Sequence, residues 1–174
     1  MMMRTFQEND VISARCSALA AGACVELFDA YGVPLTASAG NWRDSPEQLI
    51  SGVMGFVGSR VRGTCLLAAS PAAVQATCPP EGRMRDWVGE LSNQLVGRLK
   101  KKLLSRGVEV ALTTPIVLTG VRLQPLPRGH VEPCGFESPH GVVLVWVEVE
   151  ASPSLSMESE QAAAPESDVD LLLF

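Results

Sequence analysis

An α/β (α+β) fold follows from three features of this 174-residue chain. A helix-period apolar pattern runs over residues 82–105. Two β-rich runs, 49–57 and 64–69, flank a turn bounded by Gly58 and Gly63. A valine-rich segment, 142–149, carries Val143, Val145, Val147 and Val149 on one side of a strand.

The first element is a helix over residues 10–31, with Asp10 as its cap and Val11, Ile12, Leu19, Val25, Leu27 and Phe28 as apolar positions. Gly32-Val33-Pro34 stops it. Residues 38–46 read as a polar, turn-rich connection. The hairpin follows, then a short helix over 71–76 that Pro79-Pro80 closes. Gly107 ends the long helix, and Lys100, Lys101 and Lys102 near that end complement its dipole. Strand pieces are expected over 108–120, interrupted at Pro115. The last strand, 142–149, is apolar enough to be buried on both faces for part of its length. After Glu150 the chain becomes rich in Ser, Ala, Glu and Pro, so 151–167 reads as a disordered linker. The expected organisation is a domain over 1–150, that linker, and a terminal segment over 168–174.

Composition narrows the function. Hydrophobic residues make up 47% and charged residues 19%, a globular balance. A net charge of −5 gives no electrostatic footprint for nucleic acid or an anionic membrane. Uninterrupted apolar runs fall short of the roughly 18 residues of a transmembrane helix, and the start shows no signal-peptide pattern. The expected location is cytoplasmic. Five cysteines without a CxxC pair read as small hydrophobes. His130, Cys134 and His140 have irregular spacing in a Pro/Gly-rich stretch, which reads as a polar surface loop and not as a metal site.

The long helix carries the candidate chemistry. At about 100° per residue, Asp86, Glu90, Asn93 and Gly97 share one stripe. Met84, Trp87, Val88, Leu91, Leu95 and Leu99 fall opposite and take the core. The polar stripe therefore looks outward. Gly97 removes side-chain bulk beside Asn93 and leaves room for another surface, at roughly 1 kcal/mol of helix stability relative to alanine.

Asp86-x-x-x-Glu90-x-x-Asn93-x-x-x-Gly97 resembles the signature helix of the CheC/CheX/FliY family of chemotaxis phosphatases, whose active site is an E-x-x-N pair. Gly55-Phe56-Val57-Gly58 and Gly63-Thr64-Cys65-Leu66-Leu67 are similar to the glycine-flanked hairpin of the CheX-like branch, and Pro115-Ile116-Val117-Leu118-Thr119-Gly120 resembles the strand after its active-site helix. The likeness covers residues 49–149. It implies an antiparallel-rich sheet packed against long helices, and a homodimer associating through its sheets. It also implies hydrolysis of a phosphoaspartate on a CheY-like receiver. The resemblance makes Asn93 the amide that holds water in line with phosphorus. It makes Glu90 the anchor that pairs with the receiver's lysine. Asp86 reads as a minor contact or a helix-N-terminal charge. The chain would need no cofactor of its own, Mg²⁺ residing on the receiver. The CheC branch can carry a second site, but the equivalent segment here, Glu26-Leu27-Phe28-Asp29, has aspartate where asparagine is required, so a single site is expected.

The terminal segment places Val169, Leu172 and Leu173 on one face of a short helix, with Asp168 and Asp170 near its N-terminus. It has the form of a helix-in-groove ligand. It also resembles the receiver-binding peptides of FliM and FliY and the end of CheZ, which finishes in phenylalanine as Phe174 does here. That resemblance implies a tether for the receiver. Docking back on the domain and a degradation signal are the alternatives. Two further functions use the same surfaces: a non-catalytic module binding a phosphorylated receiver, and a structural subunit of a switch-like assembly.

Overall fold

A computed structural model describes residues 2–40, 48–121, 132–152 and 155, the side chains of 2–10 and 121 excepted. Helix α1 spans Met2–Asp29. It starts well before the expected cap at Asp10. The preceding residues contain neither glycine nor proline to stop it. Its inner face is Ile12, Cys16, Ala20, Ala23, Cys24, Leu27 and Phe28, all buried. Val11 and Val25, expected among the apolar packing positions, are instead 56% and 36% exposed. Small residues supply the packing stripe, which lets the helix approach the sheet closely and leaves the two valines outside it. By length and composition alone, Val11–Asp29 could cross a membrane. Here its inner face forms the core between helix and sheet.

Strand β1 is Thr36–Ser38, β2 is Gln48–Val57 and β3 is Val61–Ala69. Helix α2, Pro71–Thr77, has proline at its first turn, where the missing N–H costs nothing. Helix α3 is Met84–Leu104, followed by β4 at Ala111–Leu112, β5 at Ile116–Val121, β6 at Cys134–Ser138 and β7 at Gly141–Ala151. The sheet runs β1-β6-β7-β3-β2-β4, and β5 also pairs with β2. Every pairing is antiparallel. β4 and β5 lie end to end along one edge of β2, against Phe56–Val57 and residues 48–53 respectively. Thr113 bridges the break before Pro115. Its N–H donates to the Gly55 carbonyl at 2.9 Å, and its hydroxyl accepts the Gly55 N–H at 2.8 Å.

Two short strands differ from the sequence expectation. β1 begins ahead of the stretch read as a connection, and β6 occupies the stretch read as a surface loop. Both are short and polar, so neither shows an alternating pattern long enough to stand out. β7 agrees with its expectation. Val143, Val145, Val147 and Val149 enter the helix-side core, and Leu144 and Trp146 are buried on the other face with Leu49 and Ala68. β7 runs to Ala151, and Leu155, inside the stretch read as linker, is buried in the same core.

The two long helices end in the same way. Gly32 and Gly107 both have φ of 73°. Val33 N–H donates to the Phe28 carbonyl and Gly32 N–H to Asp29, while Val108 donates to Leu103 and Gly107 to Leu104. These are Schellman caps. In each, the residue after the glycine is apolar and buried, as is the residue whose carbonyl it bonds.

Candidate functional site

α3 owes its height above the sheet to Gly52 of β2. A Cβ there would lie 1.9 Å from Ser92 Oγ and 3.2 Å from the Val88 carbonyl oxygen. Only glycine admits that approach. Ser92 is buried, and its hydroxyl donates to the Val88 carbonyl at 2.8 Å. Val88, Leu91, Leu95 and Leu99 are buried to 1% exposure or less. Gly89 faces Val117 and Pro115, where a Cβ would make ordinary contact. Met84 and Trp87 are half-buried at the edge of the core. With that underside fixed, the opposite stripe has a fixed rotation.

Asp86 and Glu90 are exposed, and Asn93 and Gly97 are half-buried. Asp86 sits in the first turn, where its charge suits the helix dipole. A Cβ added at Gly97 would meet nothing within 4 Å, so open space lies beside Asn93. Among the described residues, none hydrogen-bonds to the Asn93 carboxamide, which leaves its donor and acceptor available. Glu90 is held on one side: Gln94 Nε2 donates to Glu90 Oε1 at 3.1 Å, and the Tyr31 hydroxyl donates to Gln94 Oε1 at 2.9 Å. The stripe continues past Gly97 to exposed Lys101 and to Leu104, which is 55% exposed.

Gln94, Tyr31 and Leu104 were not singled out by the sequence, and Lys101 was read there only as a charge that complements the helix dipole. The Glu90–Gln94 pair was legible as an i,i+4 spacing. Tyr31 was not, because 63 residues of chain separate it from Gln94.

In the first-helix segment Glu26-Leu27-Phe28-Asp29, Leu27 and Phe28 are buried and the two acids are exposed. Glu26 is engaged by Lys102, whose Nζ lies 2.6 Å from Glu26 Oε1. Cys134 opens β6, with its thiol 3.9 Å from the Ser17 carbonyl oxygen. His140 lies in the turn beyond the strand's other end, where its backbone bonds Ser138 and Ser70. The structure does not bring these two together, and His130 lies outside the described residues. Among the described residues no group of three or more His, Cys, Asp or Glu is arranged to hold a metal. All five cysteines are free. Burial pushes the Cys16 thiol up to about 11 and Cys65 to about 12, so neither is an ionised nucleophile at neutral pH. Asp168, Val169, Asp170, Leu172, Leu173 and Phe174 lie outside the described residues.

The family model described as chemotaxis phosphatase CheX matches residues 50–132, which include all of α3. No curated protein matches the chain by sequence. Among solved structures, the chain is similar to the chemotaxis protein CheX from Vibrio vulnificus. The TM-score is 0.67 at 19% identity, over 78% of this chain and 96% of that one. It is similar to the CheX of a CheX–CheY–BeF₃–Mg²⁺ complex from Borrelia burgdorferi, with a TM-score of 0.53 at 13% identity over 79% and 97% of the two chains. It is also similar to FliY from Thermotoga maritima, with a TM-score of 0.53 at 15% identity over 83% and 90%. The antiparallel sheet with its long helices is therefore the fold of the CheX- and CheC-like proteins, and residues 50–132 are a match to the CheX family model.

Proposed function

We propose that the chain is a CheX-like phosphatase that hydrolyses the phosphoaspartate of a CheY-like receiver domain. The observation that carries this reading is the exposed face of α3, where Glu90 and an unengaged Asn93 carboxamide stand beside the open space at Gly97, within the stretch matching the chemotaxis phosphatase model. An acyl phosphate is a reactive anhydride, so the enzyme has little covalent chemistry to do. Asn93 holds a water in line with phosphorus, donating through its N–H and accepting through its carbonyl. The water oxygen bonds to phosphorus as the P–O bond to the aspartyl carboxylate breaks. The products are inorganic phosphate and the free carboxylate, with the second water proton passing to solvent. Glu90 docks the receiver by pairing with its active-site lysine. Mg²⁺ bound by the receiver would neutralise phosphoryl charge during the step.

The test is phosphate release from a phosphorylated receiver. Asn93→Ala should lower the accelerated rate by about 100-fold or more while docking stays measurable. Full activity in that variant removes Asn93 from the mechanism. Binding by the wild-type chain without phosphate release would favour the non-catalytic module, a reading that the FliY-type fold also accommodates.

The site is intracellular on this reading, because receivers are. The segment over 168–174 serves as a tether that raises the local receiver concentration at Glu90 and Asn93. Among the described residues β5 pairs only with β2, so its outer edge is a candidate for sheet-to-sheet association, and a homodimer is expected, to be checked by concentration-dependent mass in solution.

A further inference from the structure

The docking carboxylate is not set by α3 alone. Gln94 sits one helical turn after Glu90, and its amide has two hydrogen-bonding ends. A carboxylate can only accept, so the end facing Glu90 must be the NH₂, as observed at 3.1 Å. That orientation turns the Gln94 carbonyl toward Tyr31, whose hydroxyl donates to it at 2.9 Å. Each bond thus fixes the direction of the other. Tyr31 is itself held from two sides. It follows the last residue of α1 by two positions and precedes the left-handed Gly32 of the cap. Its ring meets Trp87 edge-on, with centroids 5.5 Å apart and planes at 84°. Trp87 is tied in turn to α2, its Nε1 donating to Thr77 Oγ1 at 3.0 Å, and Thr77 donates to the Val74 carbonyl at 2.8 Å.

We propose that Tyr31 and Gln94 are positioning residues that hold the Glu90 carboxylate in its docking orientation. The inference rests on the reading of Glu90 as the receiver anchor. With Oε1 occupied by Gln94, Oε2 is the oxygen presented to a cation on the partner. Part of the rotamer entropy of an exposed glutamate is then lost before the partner arrives, so less is lost on binding. The relay touches Glu90 and not Asn93, so it acts on affinity and not on the chemical step.

The experiment titrates wild type, Tyr31→Phe, Gln94→Met, Glu90→Ala and the Tyr31→Phe/Glu90→Ala double variant with a receiver activated by BeF₃⁻ and Mg²⁺. It also measures KM and kcat on the phosphorylated receiver. Tyr31→Phe keeps the ring against Trp87 and removes only the hydroxyl. It should weaken affinity and raise KM by about three- to tenfold, the worth of one lost hydrogen bond, with kcat held. Gln94→Met should do the same. In the Glu90→Ala background, Tyr31→Phe should add nothing, because its route to the partner is gone. An unchanged affinity in Tyr31→Phe, or an equal loss whether or not Glu90 is present, overturns the positioning role. An unchanged affinity in Glu90→Ala overturns the anchor reading instead, so the two failures are distinguishable.

Discussion

Gly52 and Ser92 show how closely one residue governs the site. The contact between them brings α3 down onto β2, and Asn93 is the next residue along the helix. Gly52→Ala places a methyl group where Ser92 Oγ now lies, so the helix must rise or rotate. It should lose about 1–3 kcal/mol of unfolding free energy, measured by urea denaturation, and phosphate release should fall with it. The companion change Ser92→Gly removes the clashing side chain and should restore part of the release in the Gly52→Ala background. Most of the α3 stripe was legible in the sequence, because Leu91, Leu95 and Leu99 fix the buried side and leave Glu90 and Asn93 no other direction. Tyr31 was illegible for a different reason. Its role depends on a packing contact between the end of one helix and the middle of another, and no local spacing encodes that.

At the scale of elements, the two glycine caps separate stability from function. Gly32 and Gly107 adopt the same left-handed conformation, so Gly32→Ala and Gly107→Ala should each cost about 1 kcal/mol in thermal or chemical denaturation. Their effects on the receiver should differ. Gly32 adjoins Tyr31, so altering that cap disturbs the relay to Glu90 and should raise KM, whereas Gly107 lies beyond the far end of α3 and should leave KM unchanged. Both stops were visible as glycines after amphipathic runs. The strands were visible where they are long and apolar, as in β2, β3 and β7. β1 and β6 were not, since Thr36-Ala37-Ser38 and Cys134-Gly135-Phe136-Glu137-Ser138 derive their strand character from the neighbours they pair with.

For the whole molecule, the proposed function raises the question of how a receiver would be captured. The domain supplies one face of one helix, and a small docking face gives modest affinity. A tether at residues 168–174 would compensate by effective concentration, so deleting those residues should weaken binding of the phosphorylated receiver by about 100-fold under limiting receiver while leaving kcat at saturation unchanged. Calorimetric titration of the full and shortened chains measures this, and equal affinities would count against the tether. The fold class was readable because helix-period and strand-period segments alternate along most of the chain. The sheet order was not, because nothing in the residues of β7 states that it lies between β3 and β6. That position has a consequence for biosynthesis. Among the described elements β7 is the last strand made, yet it completes the centre of the sheet and receives α1, the earliest of the described helices. During translation the side of α1 that packs on β7 stays uncovered until residues 141–151 leave the ribosome, so the core closes late, and a chain halted before β7 would be a substrate for chaperones.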